Sequence, residues 1–148
     1  MKRKIIILEN IRSAYNVWNV IRTADALGWE VWLTGYSPSP LDNPKVRKTS
    51  LGAEENVQLR QFDYSENAIE EAQSLWIPVI AAEITPEATS LHDYQGKENI
   101  AIIFGNEVEG VLPHTLKHVD EVVYIPMQGV KESLNIGQST AIFMRALQ

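Results

Sequence analysis

Three short stretches of this sequence hold side chains suited to chemistry, and none contains a cysteine. Residues 10–28 read NIRSAYNVWNVIRTADALG, with five residues between Asn16 and Arg22. Residues 102–111 read IIFGNEVEGV, with Glu107 between Gly105 and Gly110. Residues 130–141 read VKESLNIGQSTA, where Ser133 and Asn135 flank Leu134. A positioned arginine is a poor base, since its pKa lies above about 12, but it holds a phosphate or stabilises a developing alkoxide well. Gly105 would let a ligand approach the backbone while Glu107 orients a polar group. An extended S-L-N would set Ser133 and Asn135 on one side as a small polar wall, with Leu134 turned into the core.

Each stretch also has a plainer reading. GNEVEG lacks the Lys-Ser/Thr ending of a phosphate loop, and its two acids would repel phosphate, so ATP or GTP is not the expected ligand. Alone it reads as a glycine turn with solvated acids. Asn16 alone reads as a helix N-cap and Arg22 as a surface cation; Asn135 is a natural N-cap and Ser133 a turn residue. His114 and His118 have the i,i+4 spacing that suits a metal. No third ligand follows, so they read as surface residues on a short helix, and no metal is expected. No G-x-S-x-G elbow supports a serine triad.

The elements that must position these residues follow from periodicity. KIIIL (4–8) is a buried strand. Val17, Val20, Ile21, Ala24 and Leu27 recur at helical spacing, and Gly28 supplies the stop. EVWLTG (30–35), VQLRQF (57–62), IPVIAAEI (77–84), NIAIIFG (99–105) and EVVYIP (121–126) read as further strands. SENAIEEAQSLW (65–76) reads as a helix opened by a serine cap, and LPHTLKHV as a short helix. A last helix runs from Asn135 to Leu147, with Ile136, Thr140, Phe143 and Leu147 on one stripe. Strands alternating with helices predict an α/β domain: a mostly parallel sheet with helices on both faces. Sites in such sheets gather outside the carboxyl ends of the strands, where all three stretches fall.

With 148 residues, 45% hydrophobic and 22% charged, the chain reads as one globular domain, residues 1–148. The absence of cysteine excludes disulfides and thiol nucleophiles. The run IIIL is too short for a signal-peptide core or a membrane span, so a cytoplasmic protein is expected. A net charge of −6 speaks against nucleic acid, yet Lys45, Arg47 and Lys48 cluster, and Arg12 and Arg22 lie early.

Taken together and in order, the stretches resemble the SpoU (TrmH-like) branch of the SPOUT RNA methyltransferases. Asn16 and Arg22 match its Asn-x5-Arg, IIFGNEVEGV its FG-x-E-x-x-G, and YIPMQGVKESLN its I-P-M-x-G-x-x-x-S-L-N; TSLGA (49–53) is similar to its small-residue segment. The resemblance implies an α/β fold with a deep C-terminal trefoil knot, an exception to the avoidance of knots. It also implies a homodimer and methyl transfer from S-adenosylmethionine to a ribose 2′-hydroxyl, in tRNA ahead of rRNA. Backbone around Ala81, Ala82 and Glu83, around Phe104, Gly105, Asn106 and Gly110, and around Ile125, Pro126, Met127, Ser133 and Leu134 would hold the cofactor. Arg22 would engage the 2′-hydroxyl or a phosphate, and Asn16, Glu107, Ser133 and Asn135 would order it, the ribose or the pocket. Arg12, Arg22, Lys45, Arg47 and Lys48 would form the RNA-binding surface, pooled across two subunits. The chain looks close to a minimal catalytic core. Gln138 departs from the small apolar residues commoner there. The competing reading is a non-catalytic knotted module that binds RNA or protein; a nucleotide binder of Rossmann or flavodoxin type lacks its glycine-rich loop after the first strand.

Overall fold

The structure is a computed structural model and describes residues 2–40, 56–131 and 133–148. Its strands are β1 (Lys4–Glu9), β2 (Glu30–Thr34), β3 (Leu59–Phe62), β4 (Val79–Ala82), β5 (Thr89–Ser90), β6 (Ile100–Phe104) and β7 (Glu121–Tyr124). Its helices among the described residues are α1 (Ala14–Leu27), α2 (Ser65–Ser74), α3 (Pro113–Leu116) and α4 (Ile136–Ala146). Lys45, Arg47, Lys48 and the TSLGA segment lie outside the described residues.

Among the described residues all seven strands run parallel in the order β3-β2-β1-β6-β4-β7-β5. The chain builds β1, β2 and β3 outward, crosses to the other side for β4, and returns to fill the centre with β6. Alternate residues of each strand then meet two separate cores, as a period of two requires. Ile6, Leu8, Val31, Ile102, Phe104 and Val123 pack under α1 and α4, through Val17, Val20, Ile21, Phe143 and Met144. Ile5, Ile7, Trp32, Val79, Ala81 and Ile103 pack under Ala68, Ile69 and Ala72 of α2. Both faces are covered, which is why the strands read as continuous apolar runs.

The predicted α/β architecture is present, with differences at element ends. Ser65 does not cap α2; the cap position is Tyr64, which makes no side-chain capping bond. Ser65 is buried instead, and its hydroxyl pairs with that of Thr34 at 2.7 Å. A buried hydroxyl must find a partner, and the tertiary one outweighs the local one. Asn16 is likewise not the cap of α1. Ser13 is, its side chain accepting from the Asn16 N–H, so the helix starts before its first periodic residue, Val17. Asn135 does cap α4, accepting from Gly137 N at 2.8 Å. Gln138 faces solvent. Leu134 does not enter the core; it is 37% exposed. The two-residue β5 is too short to leave a pattern in the sequence.

Helices α1 and α2 end in the same way but with different residues. After α1, Gly28 takes φ 76° and the following N–H, from Trp29, returns to Ala24 O. After α2 that left-handed position holds Trp76, at φ 61°, with Trp76 N bonded to Gln73 O and Ile77 N to Ala72 O. This is the Schellman arrangement, in which glycine is usual because a side chain costs about 1–2 kcal/mol in that conformation. Trp76 is 90% exposed, so its removal sacrifices little packing. Trp76→Gly is expected to stabilise the fold by about 1 kcal/mol and to raise Tm by roughly 3 °C. Thermal unfolding followed by circular dichroism checks this.

Candidate active site

A cavity of about 520 Å³ opens at the carboxyl ends of β4, β6 and β7. Four chain segments wall it: Ala82, Glu83 and Ile84 after β4; residues 104–110 after β6; Val123, Tyr124, Ile125 and Met127; and Ser133, Leu134, Asn135 and Ile136 leading into α4. Ser139 and Phe143 close it from α4 itself. Phe143 meets Phe104 edge-on, with ring centroids 5.4 Å apart, so the cavity floor is part of the core.

The shape of the 105–110 turn is fixed by close backbone contact. A Cβ on Gly105 would lie 2.1 Å from Gly110 C and 2.1 Å from Val111 N, which no side chain can tolerate. The glycine therefore serves the turn's own closure rather than the approach of a ligand. Gly110 stands at φ 71°, and a Cβ there would meet Glu83 Oε2 at 2.5 Å. Between them, buried Asn106 uses every polar atom of its side chain. Its Oδ1 accepts from Val108 N at 2.7 Å and Glu109 N at 3.0 Å. Its Nδ2 donates to Asn10 O at 2.8 Å and to the Tyr36 hydroxyl at 2.7 Å.

Three carboxylates then hold this turn against its neighbours. Glu83 accepts from Val111 N at 3.0 Å. Glu9, only 2% exposed, accepts from Leu112 N at 2.9 Å and from the Thr115 hydroxyl at 2.6 Å. Glu107 accepts from Arg12 N at 3.0 Å, Ser13 N at 3.2 Å and Asn16 Nδ2 at 2.9 Å. Burial pushes the Glu107 carboxyl up, but hydrogen bonds from Arg12, Asn16, its own backbone and Ser13 together outweigh that and hold it below the ordinary glutamate value. Glu107 thus serves as a clamp in its carboxylate form, and the lowered pKa makes it a weaker base than an ordinary glutamate.

The site therefore unites most of the residues singled out from sequence, but not all. Glu107, Ser133 and Asn135 line the cavity, and Asn16 joins them through Glu107. Ala82, Glu83, Phe104, Gly105, Asn106, Gly110, Ile125, Met127 and Leu134 line it too. Ala81 does not: it is fully buried in the core beneath α2, on the opposite face of the sheet. Pro126 is exposed and outside the lining. Arg22 is also outside it. It lies on the exposed side of α1, about 9 Å along the axis from Asn16, its guanidinium 5.4 Å from the Trp18 ring centroid. Arg12 is exposed. Among the described residues the ion pairs are Arg3–Glu30, Arg60–Glu71 and His114–Glu66, so Arg12 and Arg22 remain available to a partner.

Sequence reading missed Ser139 and Phe143, although they follow Asn135 at successive i+4 steps on one helix face. The roles of Glu9, Asn10 and Tyr36 left no local signal, since their partners lie 26 to 106 residues away.

No Lys, Arg or His lines the cavity among the described residues, whereas Glu83, Glu107 and Glu109 do. Such a wall repels phosphate and attracts a ligand carrying positive charge. Fold and site thus define a parallel α/β protein with an acid-lined pocket at the sheet's carboxyl edge. The chain belongs to the SpoU rRNA Methylase family, whose model matches residues 3–145. It is 28% identical over 140 residues to a 23S rRNA (guanosine-2′-O-)-methyltransferase of Xanthomonas axonopodis, covering 93% of this chain and 55% of that protein. It is 30% identical over 142 residues to a tRNA (guanosine(18)-2′-O)-methyltransferase of Borreliella burgdorferi, covering 95% of this chain and 64% of that one. The chain thus spans little more than half the length of these curated relatives. A solved structure described as giving insights into 2-OH methylation of C/U34 on tRNA superposes with a TM-score of 0.86 at 28% identity, covering 97% of this chain and 93% of that one.

Two outcomes follow from the clamp. Gly105→Ala is expected to disrupt the cavity, read as loss of ligand binding with the far-ultraviolet spectrum retained. Glu107→Gln is expected to cost at most about 1 kcal/mol, because the group is open to solvent. The folded-state pKa is depressed, so the stabilisation is present above the ordinary glutamate pKa and is lost as pH falls through the lowered one. Urea unfolding of both proteins across acid pH should therefore show the difference shrinking toward low pH.

Proposed function

We propose that the protein is an S-adenosylmethionine-dependent methyltransferase acting on a ribose 2′-hydroxyl of RNA. The observation that carries this reading is the cavity lined, among the described residues, by three carboxylates and no cation, in a member of this family. Its chemistry suits the cofactor: a sulfonium is a fixed positive charge without phosphate, and the apolar Phe104, Ile125, Met127 and Ile136 suit the uncharged remainder. Backbone from three loops would do the holding. When bound, the cofactor supplies an activated methyl group, so the protein's task is alignment and help for a poorly acidic hydroxyl.

In this reading Glu107 and Asn16 fix the start of α1 against the cavity wall. Asn135 holds the α4 terminus through Gly137 N, which sets Ser133 at the opening. Arg22 would orient the hydroxyl or a neighbouring phosphate and stabilise the alkoxide. It stands outside the cavity of its own chain, so we propose a homodimer in which the second copy brings Arg22 to the site. Exposed Tyr15 on α1 and Ile142 on α4 supply apolar surface for that association.

A tRNA substrate is proposed ahead of rRNA, because the structural relative covered over nearly its whole length is described in terms of tRNA. A C-terminal knot is proposed as well. It is supported by Gly96 and Lys97 lying beside Leu147 at the end of α4, with Lys4 Nζ bridging Lys97 O at 2.6 Å and Leu147 O at 2.8 Å. Cytoplasmic residence is the corresponding proposal for location.

Incubation with methyl-labelled S-adenosylmethionine and bulk tRNA or rRNA, followed by digestion to nucleosides, tests the activity. Label in a 2′-O-methyl nucleoside is expected, and its absence from both pools refutes the reading. Arg22→Ala is expected to lower kcat by about a hundredfold or more while cofactor affinity holds. Refolding Arg22→Ala together with Ser133→Ala should restore turnover if Arg22 acts across the dimer; two inactive variants that stay inactive when mixed place it in its own subunit.

A further inference from the structure

We propose that the ring of Tyr36, bonded to the turn that walls the cavity, is a stacking platform for a nucleobase of single-stranded RNA, with exposed Arg12 taking the phosphate. Tyr36 follows β2 and is 58% exposed, yet it is tied down at both ends. Its backbone N–H donates to Asn10 Oδ1 at 3.2 Å, and its phenol oxygen accepts from Asn106 Nδ2 at 2.7 Å. Asn106 is 6% exposed and belongs to the cavity wall, so the ring's position is set by the same turn that shapes the pocket. The backbone is built to allow this. Asn10 takes φ 52° and Gly35 φ 62°, and a Cβ on Gly35 would strike Asn10 Oδ1 at 1.8 Å.

An aromatic ring held open to solvent by two hydrogen bonds gains nothing for the fold from its exposed face. It does lose little freedom on binding a flat partner, because its orientation is already fixed. Every nucleobase has a π-face, and aromatic stacking contributes substantially to binding single strands without fixing their sequence. Other exposed rings lack this link to the site. Tyr15 packs on Trp18 at 4.9 Å, Tyr64 precedes α2, and Trp76 ends it. Arg12 lies two residues from Asn10, has its N–H on Glu107, and carries an exposed side chain. A base on Tyr36 with its phosphate at Arg12 would hold a strand across the turn that walls the cofactor pocket. The inference rests on the methyltransferase reading for why RNA should be there, but binding can be measured without turnover.

The probe is a single-stranded oligoribonucleotide carrying 2-aminopurine, whose fluorescence falls on stacking, titrated with the full chain and its variants. Tyr36→Ala is expected to weaken the oligonucleotide about tenfold to a hundredfold and abolish the quench, leaving S-adenosylmethionine affinity unchanged. Tyr36→Phe and Tyr36→Trp, which keep a ring, should bind within about threefold of the parent. In the methylation assay the loss should appear in KM for RNA and not in kcat.

If Tyr36 only braces Asn106, Phe will be as damaging as Ala and cofactor affinity will fall with it; that result overturns the proposal. So does a parent protein that shows no quench, or one in which adenosine monophosphate competes as well as the oligonucleotide does. A parent that quenches through Tyr36 yet transfers no methyl group upholds this inference and refutes the methyltransferase reading.

Discussion

The carboxyl edge of this sheet depends on one backbone contact that admits no side chain, the approach of Gly105 to Gly110 and Val111. It closes a six-residue turn tightly enough that Asn106 can reach back to two N–H groups of the turn and outward to Asn10 and Tyr36. Glu83, Glu9 and Glu107 then fasten the turn and its continuation into α3 to the end of β4, to β1 and to the start of α1. Loosening that contact would misplace the cavity wall, the start of α1 and the Tyr36 ring together.

Charge explains why an acidic chain is compatible with the proposed methyl-transfer site. Glu83, Glu107 and Glu109 line the cavity, where they suit a positive ligand, and Glu83 and Glu9 satisfy backbone N–H groups that would otherwise be left unpaired. Arg12, Arg22 and Arg145, which face solvent without an ion pair among the described residues, lie outside it. The net charge of −6 is a whole-chain sum and does not by itself describe the surface around the cavity.

Much of this was legible in the sequence where the determinant is local. Apolar runs gave the strands, the 17-20-21-24 spacing gave α1, and the stripe from Ile136 to Leu147 gave α4, all buried as expected. The motif residues Glu107, Ser133 and Asn135 came together at one opening. What failed was side-chain direction set by distant partners. Ser65 turned to Thr34 instead of capping, Leu134 stayed at the cavity instead of the core, and Ala81 belongs to the far face. Arg22 matched its motif, yet its place on α1 leaves it outside the cavity, a relation that only the folded chain reveals.

The account stands most directly on what the cavity accepts. Calorimetric titration of the full chain with S-adenosylmethionine and, separately, with ATP measures that without any assumption about RNA. Saturable binding of S-adenosylmethionine and none of ATP is expected, because three carboxylates and, among the described residues, no cation line the wall. Binding of ATP with equal or greater affinity, or no binding of S-adenosylmethionine, would contradict it.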